Sequence, residues 1–521
     1  MPAPLLNIAA LSRRTGIAPD TLRKWELRYG VLRPVRTAGG QRRYSELDVQ
    51  RVEWLRDRIR VQINITNPAD QSFVSNHAAG IIPVPDNLLR DHRKIAFYDI
   101  TEADPYKGLA MYTGMGIGEH YAGANWEDRA VMIQGPAALG VKDAARQLLE
   151  QQGFRPDEIP LALRPKPLAA NYEARTDSVV QGLQAVIPSA REGRVLQLHN
   201  QTGYAAKPIN VEKAILYSLM PAGSVLKIPD SLWQNYLYAS LLTGSALRGC
   251  KVLIIAPSLA SAPSAAGPTM ARAHGLMSAL LVWRRELAEP LRAQGGMLRV
   301  GLYAPKVGVG DLVGRIRQGW MGRPAWMSGV NAPNPAVTAM LDSLPQMLAA
   351  AGYQATYLVG ADSLARPKLH LKANSFAFVP GTDRMTAHPA WARVMREYVL
   401  YLAAQGAPPE QRRPAREAPA ALAAAVLDLI RGVSAETPPE EFDRWISYFT
   451  VGSTNMDYRS MSLDGEVQVT MTHWNTLAGL MDFSIIEGLS EWPETQEELD
   501  RLLPPPSGLV RSLANLIRLL L

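Results

Sequence analysis

The run Asp91-His-Arg-Lys-Ile-Ala-Phe-Tyr-Asp99 returns in altered form at Lys368-Leu-His-Leu-Lys-Ala-Asn374, and these two stretches decide how the 521-residue chain is read. Both alternate as strands do, so His92 and Lys94, like His370 and Lys372, fall on one side of their strand. A histidine and a lysine side by side can address one phosphate, the lysine as a fixed charge and the imidazole as acid, base or nucleophile. Each stretch has a second element downstream. The first is followed by Gly114-Met-Gly-Ile-Gly-Glu-His-Tyr121 and Asn125-Trp-Glu-Asp-Arg-Ala-Val-Met-Ile-Gln-Gly-Pro136. The second is followed by Thr450-Val-Gly-Ser-Thr-Asn-Met-Asp-Tyr-Arg-Ser-Met-Ser-Leu-Asp-Gly-Glu466. A lone strand histidine is usually a packing residue, and Ser or Asn after Gly often only closes a turn. Two copies, each with its second element in the same order, are read as two halves of one site.

The first stretch has the H-x-K-x(4)-D spacing of His92, Lys94 and Asp99 and resembles the phospholipase D superfamily. The second, with its G-S-x-N-x-D-x-R-S segment, resembles phospholipases D and cardiolipin synthases. Ala377 stands where the family places the second Asp, and Gly116 where many members have Asn, but neither departure falls on a His or Lys. The resemblance implies a two-lobed α/β fold with mixed sheets. It also implies a metal-independent phosphodiesterase that needs no cofactor. Lys94, Lys372, Ser453 and Asn455 would hold the phosphate oxygens, with Gly114, Gly116, Asn374 and Gly452 lining the substrate site. One histidine would attack phosphorus to form a phosphohistidine while the other protonates the leaving oxygen. The family favours His92 as nucleophile and His370 as acid and base. By the same resemblance Asp128 would back His92 and Glu466 would back His370. The expected substrate is a phospholipid headgroup ester or another phosphodiester such as DNA. The leading expectation is a phospholipase D or phosphatidyltransferase, with a nuclease of the same superfamily as an alternative. A further alternative is a DNA-binding transcription regulator whose lobe is noncatalytic and only senses a ligand, against which the intact His and Lys pairs speak.

The first sixty residues read differently. Ile8-Ala-Ala-Leu-Ser-Arg-Arg-Thr15 is a short helix stopped at Gly16, and a second starts near Pro19-Asp20 and runs through Leu22, Trp25 and Tyr29. With Thr21-Leu-Arg-Lys-Trp-Glu-Leu-Arg-Tyr-Gly-Val-Leu-Arg-Pro34 and Gly39-Gly-Gln-Arg-Arg-Tyr-Ser45, this resembles the MerR-type winged helix-turn-helix, a small all-α module. The resemblance implies that Arg23, Lys24, Arg28, Arg42, Arg43 and Tyr44 contact DNA. Residues 1–60 carry thirteen Lys and Arg against six Asp and Glu, well beyond their share of the net charge of +7.

The expected layout is a helix-turn-helix over 1–60, a linker over 61–80, a shortened first lobe over 81–195 and a second lobe over 196–521. The second lobe carries an inserted helical element near 403–445, expected to rim the site or decorate the surface. Hydrophobic residues make up 47% and charged residues 20%, the composition of a globular chain. The single cysteine, Cys250, rules out a disulfide framework or a multi-cysteine metal site within one chain. His77, His120, His199, His274, His388 and His473 lack ligand spacing and are expected to be structural. No apolar run reaches the ~18 residues of a membrane span, so a cytoplasmic protein is expected. Leu509–Leu521, apolar at helical spacing, is expected to be a docked helix or a peripheral membrane contact.

Overall fold

The computed structural model describes residues 5–20, 22–23, 26, 32, 34–37, 39–50, 52–53, 91–104, 107–115, 126–151, 153–163, 195–203, 207–262, 267–305, 307–308, 334–353, 357–359, 368–378, 388–406, 418–436, 438, 446–472, 483, 486–487 and 489–516. Lys24, Arg28, Gly116, Asn125, the linker 61–80 and the last residues of the terminal apolar run lie outside them. The chain divides into two compact units, one of Met1–Arg90 with Arg146–Pro160, the other of Asp91–Ala145 with Leu161–Leu521.

In the first unit the helix Ile8–Thr15 is capped by Asn7, whose side chain accepts from the Ala10 amide, and ends at Gly16 with φ 73°. Only glycine takes up that left-handed conformation without strain. Two short antiparallel strands, β1 (Val35–Arg36) and β2 (Arg42–Arg43), form the wing. Leu11, Leu22, Leu32, Tyr44, Val49 and Val52 close a small core.

The second unit is built on an eight-stranded mixed sheet. The strands of this unit are β3 (Ile95–Tyr98), β4 (Leu109–Thr113), β5 (Trp126–Glu127), β6 (Ala130–Gln134), β7 (Val195–Asn200), β8 (Val225–Pro229), β9 (Lys251–Pro257), β10 (Met297–Tyr303), β11 (Val307–Gly308), β12 (Tyr357–Val359), β13 (Lys368–Leu369), β14 (Ala373–Phe378), β15 (Ile446–Gly452), β16 (Glu466–Thr472) and β17 (Ser490–Glu491). The large sheet runs in the order β17-β10-β9-β8-β14-β15-β16-β7. Its β8, β9 and β10 are parallel and the remaining neighbours antiparallel. Helices cover both faces, so β8 and the run Val-Leu-Ile-Ile-Ala of β9 are buried throughout and read as continuously apolar rather than alternating.

On one face, Tyr238, Leu242, Leu276 and Leu280 from the helices Tyr236–Leu247 and Gly267–Glu286 pack on Leu226, Ile254 and Val300. On the other, the helices Ala390–Gly406 and Ala418–Glu436 place Met395, Val399, Leu422, Leu429 and Val433 in the core with Leu371, Ala373 and Val451. The second of these helices falls in the stretch read as a rim or surface insertion. Its apolar stripe is instead one layer of the core beside β14 and β15.

The first half of the motif pattern sits on a separate three-stranded antiparallel sheet, β3-β4-β6. Ala110, Tyr112 and Ile133 from that sheet pack on Val467 and Val469 of β16, which brings the two halves together. Among the described residues no helix is long and apolar enough to cross a membrane.

Candidate active site

Two short parallel contacts fix the site. Asp91 bridges Gly465 in parallel register, and the His92 amide donates to the Gly465 carbonyl at 2.7 Å. The next pair along is His92 beside Glu466. Likewise β13 runs parallel to β5 with Leu369 opposite Glu127, and the His370 amide donates to the Glu127 carbonyl at 3.0 Å. The next pair there is His370 beside Asp128. Each ladder thus sets a histidine from one half against a carboxylate from the other: His92 Nδ1 lies 3.1 Å from Glu466 Oε1, and His370 Nδ1 lies 2.7 Å from Asp128 Oδ2. The partners expected from the resemblance are therefore exchanged. A strand neighbour in parallel register determines which carboxylate stands behind a ring, and both ladders join first half to second.

The lysines repeat one geometry. Lys94 Nζ donates to the His92 carbonyl at 2.8 Å, and Lys372 Nζ to the His370 carbonyl at 2.6 Å. Lys372 Nζ also lies 3.0 Å from both ring nitrogens of His370. Burial, with the charge of Lys372 adding to it, lowers His370 to about 4 against the opposing pull of Asp128, and Lys94 lowers it further. Burial also lowers Lys372, which feels Asp128 and Glu466 together. Groups from both halves therefore act on each other's charge in one low-dielectric neighbourhood.

Glycines make room for this. A Cβ on Gly114 would stand 2.5 Å from Asp128 Oδ1, so the carboxylate behind His370 exists only because position 114 has no side chain. A Cβ on Gly452 would stand 2.3 Å from the Val467 carbonyl oxygen, which keeps β15 close against β16 at the turn into Ser453.

Several expected roles are corrected. Ser453 is wholly buried; its hydroxyl donates to Glu466 Oε2 and accepts from the Val467 amide, so it orients the carboxylate behind His92 rather than facing a phosphate. Asn374 is 1% exposed and donates from Nδ2 to Thr450 Oγ1 across the sheet, so it is a structural residue of β14. Asp99 follows β3 at its far end from His92 and pairs with Lys107 at 2.7 Å, away from the imidazoles. Tyr44 is fully buried, its hydroxyl donating to Glu26, and burial with that bond raises it to about 12, so it belongs to the core of its module and not to a phosphate grip. Arg42 is held by Glu26 at 2.6 Å and Arg23 by Asp20 at 2.6 Å. Arg43 is partly exposed.

Sequence reading missed the Asp230-Ser231 pair at the end of β8. Asp230 bridges Lys372 and accepts the Met456 and Leu232 amides, and Ser231 Oγ donates to Asn455 Oδ1 at 2.7 Å. That bond turns the Asn455 NH2 away from Ser231. The signal was present, since two polar residues at the end of an apolar strand are where an open α/β sheet builds sites. Asp230, raised by burial to about 6, and Asp457, raised by burial to about 7, belong to an acidic group behind the site.

His92, Asp464 and Glu466 offer ligand atoms within 4.8 Å of one another, a set that could hold a cation. Arg459 Nε donates to both oxygens of Asp464, at 3.0 and 3.3 Å, and Ser453 donates to Glu466. Hydrogen-bond donors already satisfy these carboxylates, so the set fits the role of orienting His92 better than that of binding a metal.

With this geometry in place, similarity to known proteins divides along the chain. Residues 6–59 match the MerR HTH family regulatory protein profile. The N-terminal segment is of the MerR type. Over 77 residues it is 33% identical to the HTH-type transcriptional regulator MlrA of Salmonella typhimurium, covering 14% of this chain and 32% of that protein. Over 61 residues it is 36% identical to MlrA of Escherichia coli K12, covering 11% of this chain and 25% of that protein. The chain thus spans about a third or less of the length of these curated relatives. Among solved structures, phosphatidylserine synthase of Haemophilus influenzae superposes with a TM-score of 0.38 at 11% identity, covering 79% of this chain and 68% of that one.

Proposed function

We propose that the second unit is a phosphodiesterase of the phospholipase D type, acting on a phosphatidyl headgroup ester through a phosphohistidine intermediate. The observation that carries this reading is the crossed pairing of two histidines with two carboxylates, each histidine followed two residues later by a lysine. A phosphodiester resists attack because it is an anion, so a site has to offset its charge, attack phosphorus and protonate the leaving alcohol. Lys94 and Lys372 supply the charge, and Asn455 a neutral donor. Glu466 takes the Nδ1 proton of His92 in a hydrogen bond, which leaves the Nε2 lone pair to attack phosphorus. As the N–P bond forms and the bond to the leaving oxygen breaks, His370 gives that oxygen its proton. His370 then takes a proton from water or an acceptor alcohol, whose oxygen displaces His92 from phosphorus.

Alone, His370 is neutral at pH 7. The bound phosphate offsets the charge of Lys372, and Asp128 then lifts the proton affinity of His370 into the working range. Gly114, Gly452, Ser453 and Asp230 act by holding these groups in place.

The reading is tested by incubating the purified chain, with chelator present, with phosphatidylcholine vesicles and separately with plasmid DNA. Choline release that vanishes in both His92→Ala and His370→Ala supports it, and release that survives either change overturns it. One observation favours a second reading, a nuclease: the MerR-type segment belongs to the same chain, and DNA nicking without lipid turnover would establish it. For that segment we propose DNA binding, with Arg23 and Arg43, and by resemblance Lys24 and Arg28, meeting the duplex.

A further inference from the structure

Away from the paired histidines, the helix Gly267–Glu286 and the terminal helix Gly508–Leu516 flank an open cavity of about 300 Å³ lined in part by Tyr236, Arg272, His274, Ser278, Arg511 and Asn515. We propose that this cavity is a binding site for a phosphate-type oxyanion, gripped by the guanidinium groups of Arg272 and Arg511.

The lining is rich in donors and, among the described residues, contains no Asp or Glu. Two guanidinium groups line this one small cavity while the nearby carboxylate, Asp500, sits behind His274 and off the lining, so an anion would meet positive charge at the surface it touches. Arg272 is held only loosely at its Nη1, which reaches the Ala514 carbonyl and Asn515 Oδ1 at 3.4 and 3.5 Å. Both contacts are long against the usual length of about 2.9–3.0 Å for an N–H···O bond, which leaves the guanidinium free to take a better acceptor.

The other lining groups complete an anion's needs. His274 is anchored by Asp500 at 2.9 Å. Ser278 accepts from Gln496 at 3.0 Å, which leaves its hydroxyl hydrogen to donate. The guanidinium of Arg272 lies 4.8 Å from the centroid of Tyr458, the residue after Asp457, so an anion on Arg272 would be bound one side chain away from the segment that carries Asn455.

The same chemistry could come from a free phosphate compound or from an anionic lipid headgroup. The test separates the two sources. The full chain is titrated calorimetrically with inorganic phosphate at low salt, and is sedimented with vesicles of phosphatidylcholine alone or with phosphatidic acid added.

Arg272→Gln and Arg511→Gln should each weaken one binding event by about tenfold or more, since each removes a charge-assisted contact. Lys94→Ala, at the other phosphate site, should leave that event unchanged. Binding of phosphate itself identifies a free anion, and sedimentation with phosphatidic acid vesicles alone identifies a headgroup. The proposal is overturned if neither probe binds, or if Arg511→Gln binds both as the unaltered chain does. Arg511 is exposed, so its replacement should leave the fold intact, which circular dichroism checks, and this second outcome is decisive even if Arg272→Gln fails to fold.

Discussion

The two half-sites carry the same chemistry on unequal scaffolds. His370 and Lys372 lead into β14 at the middle of an eight-stranded sheet with a helix layer on each side, and Lys372 is 3% exposed. His92 and Lys94 lead into β3, an edge strand of a three-stranded sheet whose Ala96, Phe97 and Tyr98 are all exposed. Yet neither half is self-sufficient. The well-supported histidine depends on Asp128 from the small sheet's half, and the poorly supported one on Glu466 from the large sheet. Crossing the carboxylates makes each half a condition for the other, so the weaker scaffold is held in register by the stronger.

If this is correct, removing either ring is equally severe despite the unequal burial. His92→Ala and His370→Ala should each lower turnover of a phosphodiester by about 10⁴-fold or more, because no neighbour can replace a nucleophile or its proton donor. A large difference between them would break the symmetry of roles. Next, Asp128→Asn should cost about 10²–10⁴-fold by disturbing the tautomer and orientation of His370.

Gly114→Ala should cost about 10²-fold, since a Cβ 2.5 Å from Asp128 Oδ1 forces the carboxylate aside without touching either histidine. Steady-state rates with chromatographic product analysis check all three, and a Gly114→Ala chain as active as the parent would show that Asp128 has another position available.

The smallest effect concerns stability. Asp457 caps the helix Tyr458–Ser462 by accepting the Ser460 amide, but burial and the nearby Asp464, Glu466 and Asp230 raise it to about 7. Its folded value lies above its ordinary 3.8, so the folded state favours the protonated form and loses stability as pH rises from about 4 through 7. Asn keeps the cap without the charge. Asp457→Asn should therefore match the parent near pH 4 and exceed it in melting temperature at pH 8, whereas Asp457→Ala should lose about 1 kcal/mol for the missing cap at pH 4. Thermal unfolding at the two pH values distinguishes them.

What the sequence disclosed, and what it withheld, follows the range of the interactions. The His and Lys spacing was legible because a strand's period of two is local, and Gly16 was legible as a helix stop because its conformation is its own. The pairing of His92 with Glu466 and of His370 with Asp128 was not legible, since it depends on parallel registers between segments far apart in the chain. Ser453 was misread for a related reason: its hydroxyl could serve a phosphate or a carboxylate, and only the approach of β15 to β16 decides. Asp99 was placed by motif spacing alone, though a strand of four residues carries it to the wrong end. Tyr44 was given a DNA contact by resemblance alone, but its ring fills the module's core and leaves only its hydroxyl to Glu26. The helix Ala418–Glu436 lay in the stretch expected to be an insertion, and its alanines concealed a buried stripe.

The crossed pairing can be tested by following both imidazoles by ¹⁵N nuclear magnetic resonance through a pH titration of the parent, Asp128→Asn and Glu466→Gln. Asp128→Asn should move the titration of the His370 ring more than that of His92, while Glu466→Gln should move His92 more than His370. If Asp128→Asn instead moves His92 more and Glu466→Gln moves His370 more, each half backs its own histidine and the crossed pairing is refuted.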